Sequence, residues 1–309
     1  MHEHFSTPRN RSTARPSRRS WRRAAAFGAA ATAAVLLAAP AATSAATATS
    51  KPASAPTEAS ASRAPIPHWS DDALRNPGNY PVTELVGQFP LPKLKATEVH
   101  LSVTKWGFRY QGGMANNNLK ITMSKGGLRF VDRAARTWTH LPRNCVEVKM
   151  KRAAAAQCSI PSRHPGQMYV ETWPRLGNDT IDARGLSSRF KLWALTDDGR
   201  DTVRGGAGND FINTAFMDDR AWGGDGDDWI RVGTGQNLVY GDGGNDRLVG
   251  GDNEDQIRGG TGDDRIGGLS GDDVLWGDAG ADILVGGPGM DAAYIDAQDR
   301  ASEIETMRS

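Results

Sequence analysis

Cysteine is almost absent: the 309 residues contain two, Cys145 and Cys158. That count excludes a Cys-rich zinc module and a multiply stapled miniprotein. Apolar side chains are scarce too, at 38% of the chain with 7% aromatic, which excludes a multi-spanning membrane protein and weakens the case for one large enzyme core. The most apolar uncharged stretch, residues 24–39, is too short for a comfortable membrane span. Chemical signatures are missing as well. The lack of HExxH disfavours a zinc protease, and the lack of GxSxG disfavours a lipase. His68, His100, His140 and His164 are scattered one per segment, which fits structural or exposed histidines better than a catalytic set. No nucleic-acid-binding module is visible.

Charge is present in balance but not in mixture. Lys and Arg total 37 against 36 Asp and Glu, a formal charge of +1. Residues 1–64 carry nine basic and two acidic side chains, residues 65–173 carry 15 and 7, and residues 196–294 carry 7 and 21. A basic middle therefore precedes a very acidic, Gly-rich C-terminal part. The basic block reads first as a solvated face balancing the acidic one; anionic glycans or cell-wall polymers are the partners it could touch.

The N-terminus has three regions: a basic stretch over 1–23, the apolar stretch over 24–39, and the small-residue patterns Ala39-Pro40-Ala41 and Ala46-Thr47-Ala48. This predicts a cleavable signal peptide over 1–46, an extracellular mature chain, and no membrane span after cleavage; the alternative is an uncleaved anchor. Ser17-Arg18-Arg19-Ser20-Trp21 resembles a twin-arginine signal, but Arg22 stands where an apolar residue is usual, and the general secretory route is favoured. Residues 47–64, rich in Ala, Ser, Thr and Pro, read as a disordered linker. In an exported chain Cys145 and Cys158 suggest one disulfide, with two buried thiols as the alternative.

Residues 196–294 divide without a gap into 11 blocks of nine. Position 6 is Asp in every block but one, which has Asn237, and position 8 is always aliphatic or Ala. Gly recurs at positions 1, 2 and 4, where it lets the chain turn tightly and point carbonyl oxygens inward. The Asp adds a carboxylate, and hard oxygen ligands of this sort suit calcium. Position 8 starts a short strand and buries one side chain, so no block is stable alone. A further copy, Gly177-Asn178-Asp179-Thr180-Ile181, lies upstream and out of phase.

These blocks resemble the hemolysin-type (RTX) calcium-binding nonapeptide repeat, GGxGxDxUx, and the whole chain resembles small exported actinobacterial proteins that carry it. The resemblance implies an all-β fold: a right-handed parallel β-roll, or β-solenoid, with two nonapeptides per turn and calcium between stacked turns, preceded here by a short β-rich N-terminal cap segment. Repeats 18 residues apart then stack in two columns. Column one starts at Gly205, Gly223, Gly241, Gly259 and Gly277 and keeps Gly at position 4 and Asp at position 6 throughout. Column two starts at Thr196, Thr214, Val232, Gly250, Gly268 and Gly286 and is eroded, with Met217 and Asn253 at position 4. About four calcium sites are expected along column one, on Gly206, Gly208, Asp210, Gly224, Gly226, Asp228, Gly244, Asp246, Gly260, Gly262, Asp264, Gly280 and Asp282. One or two more are expected between Asp255, Asp273 and Asp291. Calcium would remove the repulsion within each Asp column and supply the missing folding free energy.

Position 9 of column two reads Arg204, Trp222, Tyr240, Arg258, Trp276, Tyr294. Flanking the core-facing position 8, these side chains should point outward as a ladder. Its first reading is stabilisation by stacking and cation–π pairs. Its second is a strip, formed by Trp222, Tyr240, Trp276 and Tyr294, that binds a polysaccharide or another partner. Upstream, alternating apolar and polar residues predict strands over 99–104, 119–123, 128–132, 146–150 and 169–173, separated by turns such as Lys125-Gly126-Gly127. The chain thus divides into the signal, the linker, a β-rich cap over 65–173, a roll over 174–294 and a tail over 295–309. The function expected is that of a secreted, non-enzymatic protein folded by calcium. A glycan-binding adhesin is the first alternative. A polysaccharide lyase or epimerase with appended repeats is the second, although residues 65–173 leave little room for its catalytic domain.

Overall fold

The computed structural model describes residues 92–164 and 166–309. The expected signal peptide, the linker and residues 65–91 of the cap lie outside the described residues. Those described fold into strands and turns without a helix, so none is long and apolar enough to cross a membrane.

Each nonapeptide contributes one strand built around position 8, and successive strands alternate between a 12-stranded and an 11-stranded sheet. Strands 18 residues apart pair in parallel and in register. Val203, Ala221, Val239, Ile257, Leu275 and Ala293 stack through one sheet. Ile212, Ile230, Leu248, Ile266 and Leu284 stack through the other. All of these side chains are 0% exposed and meet in one core between the sheets. The result is a parallel β-solenoid of about eight turns. One apolar residue per nine makes this core thin, so burial alone gives each turn little stability.

The upstream segment closes the roll with antiparallel strands. Asn118–Ser124 and Gly127–Asp132 form a hairpin around Lys125 (φ 48°) and Gly126 (φ 74°), and Ala154–Ser159 and Cys145–Glu147 add to it. In the other sheet Glu98–Val103 pairs antiparallel with Gly107–Gln111, and Thr137–His140 lies at the edge. Cys145 and Cys158 face each other across paired strands and form a disulfide. His100 and His140 also meet, their rings stacked 4.9 Å apart on neighbouring strands. The expected strand over 146–150 is shorter and ends at Glu147, whereas Gly107–Gln111, Thr137–His140 and Ala154–Ser159 were not anticipated.

Parallel stacking starts earlier and ends later than the nonapeptides. It starts where Gly107–Gln111 pairs with Met168–Arg175 and Asn118–Ser124 pairs with Thr180–Gly185. It ends where Arg300–Ser302 joins Ile283–Val285 and Thr306–Arg308 joins Ala292–Tyr294. Residues 295–309 therefore extend both sheets.

Asp132 locks the cap. Its Oδ1 accepts the N–H groups of Asn118, Ala134 and Ala135 at 3.0, 2.8 and 3.2 Å, and its Oδ2 accepts the Tyr110 hydroxyl at 2.5 Å. Asp132→Ala would strand those donors in a fully buried position. It should cost about 3 kcal/mol in denaturant unfolding at saturating calcium, with the number of calcium ions bound unchanged.

Candidate metal centre

Position 6 sets each Asp in the turn just before its strand, and the Asp residues of both columns from Asp201 to Asp291 are at most 2% exposed. One oxygen of each builds a ladder. In column one, Oδ1 of Asp228 accepts the Asp210 N–H at 2.6 Å, and Asp246, Asp264 and Asp282 each accept the preceding N–H at 2.8 Å. In column two, Asp273 and Asp291 accept from Asp255 and Asp273 at 2.8 Å.

The second oxygen is left over. Among the described residues, the buried Oδ2 atoms of Asp228, Asp246, Asp264, Asp282, Asp273 and Asp291 make no hydrogen bond; those of Asp179, Asp201 and Asp219 are bare too, but Asp201 and Asp219 have Thr196 and Thr214 in place of a position-1 glycine. Burying a carboxylate oxygen without a donor is costly, and a bound cation removes that cost. Asp210 and Asp255 differ: their Oδ2 atoms accept the N–H groups of Gly206 and Gly251 at 2.7 and 2.8 Å.

Position 1 leaves the space into which these oxygens point. A Cβ on Gly223, Gly241, Gly259 or Gly268 would lie closer than 3.0 Å both to Oδ2 of the same repeat's Asp and to the carbonyl oxygen of the position-1 Gly one turn on. A carboxylate and a carbonyl thus converge on a cradle that only glycine leaves open, and this donor set fits calcium. Sequence reasoning noted the invariant position-1 glycines of column one but did not place them at the site. The glycines expected at positions 2 and 4 pack tightly as well. Gly224, Gly226, Gly244, Gly260, Gly262 and Gly280 lie against the backbone of the preceding turn, where a Cβ would again come closer than 3.0 Å. At Gly244 the φ of 131° adds a conformational demand. Where other residues stand at such positions, Met217, Asn253 and Leu269 take φ of 76–80° in the left-handed region.

Column two changes character along its length. Thr196, Thr214 and Val232, all buried, occupy position 1 in its first three repeats. Beside Val232, Asn237 keeps the ladder by accepting the Asp219 N–H at 2.9 Å. Its Nδ2 donates to the Gly235 carbonyl at 3.0 Å and to Asp255 Oδ1 at 2.9 Å. An N–H group thus replaces the bare oxygen, and a valine fills the cradle.

Burial is the main force on the carboxyls, with neighbouring aspartates adding to it. Asp246, Asp264, Asp273 and Asp282 are pushed up to about 7 from 3.8, and Asp228 to about 10. Among the described residues no three His, Cys, Asp or Glu side chains gather into a metal cluster. The carboxylates come one per turn, so backbone carbonyls must complete any coordination shell.

Residues 195–216, 222–257 and 258–291 match the RTX calcium-binding nonapeptide repeat, in four copies. These residues are RTX repeats. No curated protein and no solved structure matches the chain.

The RTX roll carries two aromatic rows. On the 12-stranded sheet, Arg204 lies over Trp222 at 4.4 Å, and Trp222 stacks on Tyr240 at 5.6 Å. Arg258 comes next and pairs with Asp278; Trp276 then stacks on Tyr294 at 5.3 Å, with Arg308 over Tyr294 at 5.4 Å. The ring faces are turned along the row, so both faces of Trp222 and of Tyr294 are taken. The second row was not expected from the repeat pattern. On the 11-stranded sheet Tyr169, Trp193, Phe211 and Trp229 follow one another at 6.0, 5.4 and 4.9 Å.

Proposed function

We propose that this chain is an exported, non-enzymatic protein whose RTX roll folds and stiffens on binding calcium. The six buried Asp Oδ2 atoms that lack a hydrogen bond and face a glycine cradle, those of Asp228, Asp246, Asp264, Asp282, Asp273 and Asp291, carry that reading. Asp228, Asp246, Asp264 and Asp282 would hold calcium along column one, and Asp273 and Asp291 along the consensus end of column two. The position-1 carbonyls of the following turn would assist in the inner cradles. Bound there, calcium supplies positive charge that offsets the repulsion of the Asp row and ties consecutive turns together.

Extracellular calcium modules bind at about 10⁻⁴–10⁻³ M, so such sites stay empty in a cytosol. Export before folding follows, which agrees with the three-region N-terminus and favours the general secretory route. The RTX roll family is typically structural or ligand-binding, which favours a non-enzymatic role here. In the aromatic row of the 12-stranded sheet the ring faces serve one another and the arginines, so a stabilising ladder is favoured over a glycan strip.

Circular dichroism of residues 47–309 during a calcium titration tests the proposal, with magnesium as control. The expected result is a cooperative gain of β-structure with calcium alone. A chain equally folded in chelator would contradict it.

A further inference from the structure

The RTX match ends at Asp291, yet residues beyond it build one more rung in each column without following the nonapeptide pattern. In column one the Asp282 N–H donates to Asp299 Oδ1 at 3.0 Å, as each inner Asp N–H does to the next Asp. Asp282 is 0% exposed and its Oδ2 makes no hydrogen bond among the described residues. A Cβ on Gly277 would lie 2.6 Å from Asp282 Oδ2 and 3.0 Å from Asp299 Oδ2. Both carboxylates therefore face one cradle, where Asp299 Oδ2 also accepts the Asp296 N–H at 2.6 Å and keeps a second lone pair for a cation.

In column two the Asp291 N–H donates to Glu305 Oε2 at 2.7 Å. Asp291 is 1% exposed, and its Oδ2 also makes no hydrogen bond among the described residues. A Cβ on Gly286 would meet both Asp291 Oδ2 and the Glu303 carbonyl oxygen closer than 3.0 Å. That carbonyl accepts the Gly287 N–H at 3.3 Å, just as the Gly286 carbonyl accepts the Leu269 N–H at 2.9 Å one turn before. Glu303 thus stands in for a position-1 glycine and Glu305 for a position-6 aspartate. The left-handed φ of 55° at Glu303 lies within this tightly shortened turn.

We propose that Asp299 closes a terminal calcium site with Asp282, and that Glu303 and Glu305 close another with Asp291. The inference rests on the calcium reading of the Asp rows and adds ligands that the repeat pattern does not contain. The oxygens present explain why the tail stacks at all. Each inner cradle pairs a carboxylate with a carbonyl from the next turn; the tail supplies the missing next-turn oxygens where the repeats run out.

The test counts calcium bound per chain by equilibrium dialysis, in the full mature chain and in Asp299→Asn and Glu305→Gln. Each variant should bind one ion fewer and the pair two fewer, with circular dichroism unchanged at saturating calcium. Asn237 keeps the ladder hydrogen bond while its amide takes the place of the free oxygen; in Asp299→Asn the amide also displaces the Asp296 N–H from Oδ2, so the loss of the ion is read against the Asp299→Glu control. Asp299→Glu, which keeps a carboxylate, should retain the full count. Parent stoichiometry in both amide variants would overturn the inference and leave the calcium reading standing; a parent chain that binds no calcium would defeat both. Hydrogen exchange of the unmodified chain provides a second readout that no variant can confound. Calcium should slow exchange in residues 295–308, and indifference there would also overturn the inference.

Discussion

In chelator, the thermal midpoint of the protein should fall as pH rises from about 5 to about 8, and saturating calcium should abolish that fall. The unfolded aspartates titrate near their ordinary 3.8. In the metal-free folded roll, burial holds Asp210 up at about 7, and burial with like-charged neighbours holds Asp219, Asp246, Asp264, Asp273 and Asp282 there too. Asp255 stands at about 6, Asp179 at about 8 and Asp228 at about 10. Between the unfolded and folded values the folded chain binds more protons, so stability falls with rising pH. The contribution is complete below the unfolded value and is lost as pH passes through about 7, with Asp228 titrating last. Asp182 runs the other way, held down at about 2 by hydrogen bonds from Arg184 and Lys120; it stays ionised over the tested range and does not alter the slope. Calcium flattens the slope because it displaces the protons from those oxygens, and the unfolded aspartates are already ionised above about pH 5. Scanning calorimetry at several pH values, with and without chelator, reads both slopes; a chelated protein insensitive to pH would contradict the account.

Gly241→Val should destabilise the calcium-loaded protein by more than about 3 kcal/mol and remove one bound calcium. The new side chain would push into Asp246 Oδ2 and the Gly259 carbonyl, and overpacking at a backbone contact is costly. Adding Asp246→Asn should then recover about 1–2 kcal/mol without restoring the calcium. The pair reproduces in column one what the chain already has in column two, where Val232 sits beside Asn237. Chemical denaturation of the single and double variants, with calcium counted by dialysis, completes the cycle. Purely additive effects would show that position 1 and position 6 do not share a site.

How much of this was legible depended on whether a residue takes part in the period. The position-8 residues are stacked as the spacing requires, because a period of nine with two repeats per turn leaves one register that buries them all. The Asp columns were legible for the same reason. The division of labour between Oδ1 and Oδ2 was not, since residue identity cannot say which oxygen a backbone N–H will take. The metal role of the position-1 glycines was hidden because an invariant Gly reads equally as a turn requirement. Asp299 follows Asp282 by 17 residues and Glu305 follows Asp291 by 14, so neither falls on the 18-residue spacing that marked the others; Asp299-Arg300-Ala301 was the one local trace. In the cap, Ala154–Ser159 has too little alternation to mark a strand. Its pairing with Gly127–Asp132 and its disulfide to Cys145 are long-range effects.

The most direct measurement is anomalous scattering from calcium in crystals grown with the ion. The account predicts peaks beside Oδ2 of Asp228, Asp246, Asp264, Asp273, Asp282 and Asp291, and none beside Asn237. Crystals of the folded roll in calcium with no peak at those oxygens, or with ions only on exposed carboxylates such as Asp227 and Asp263, would contradict it.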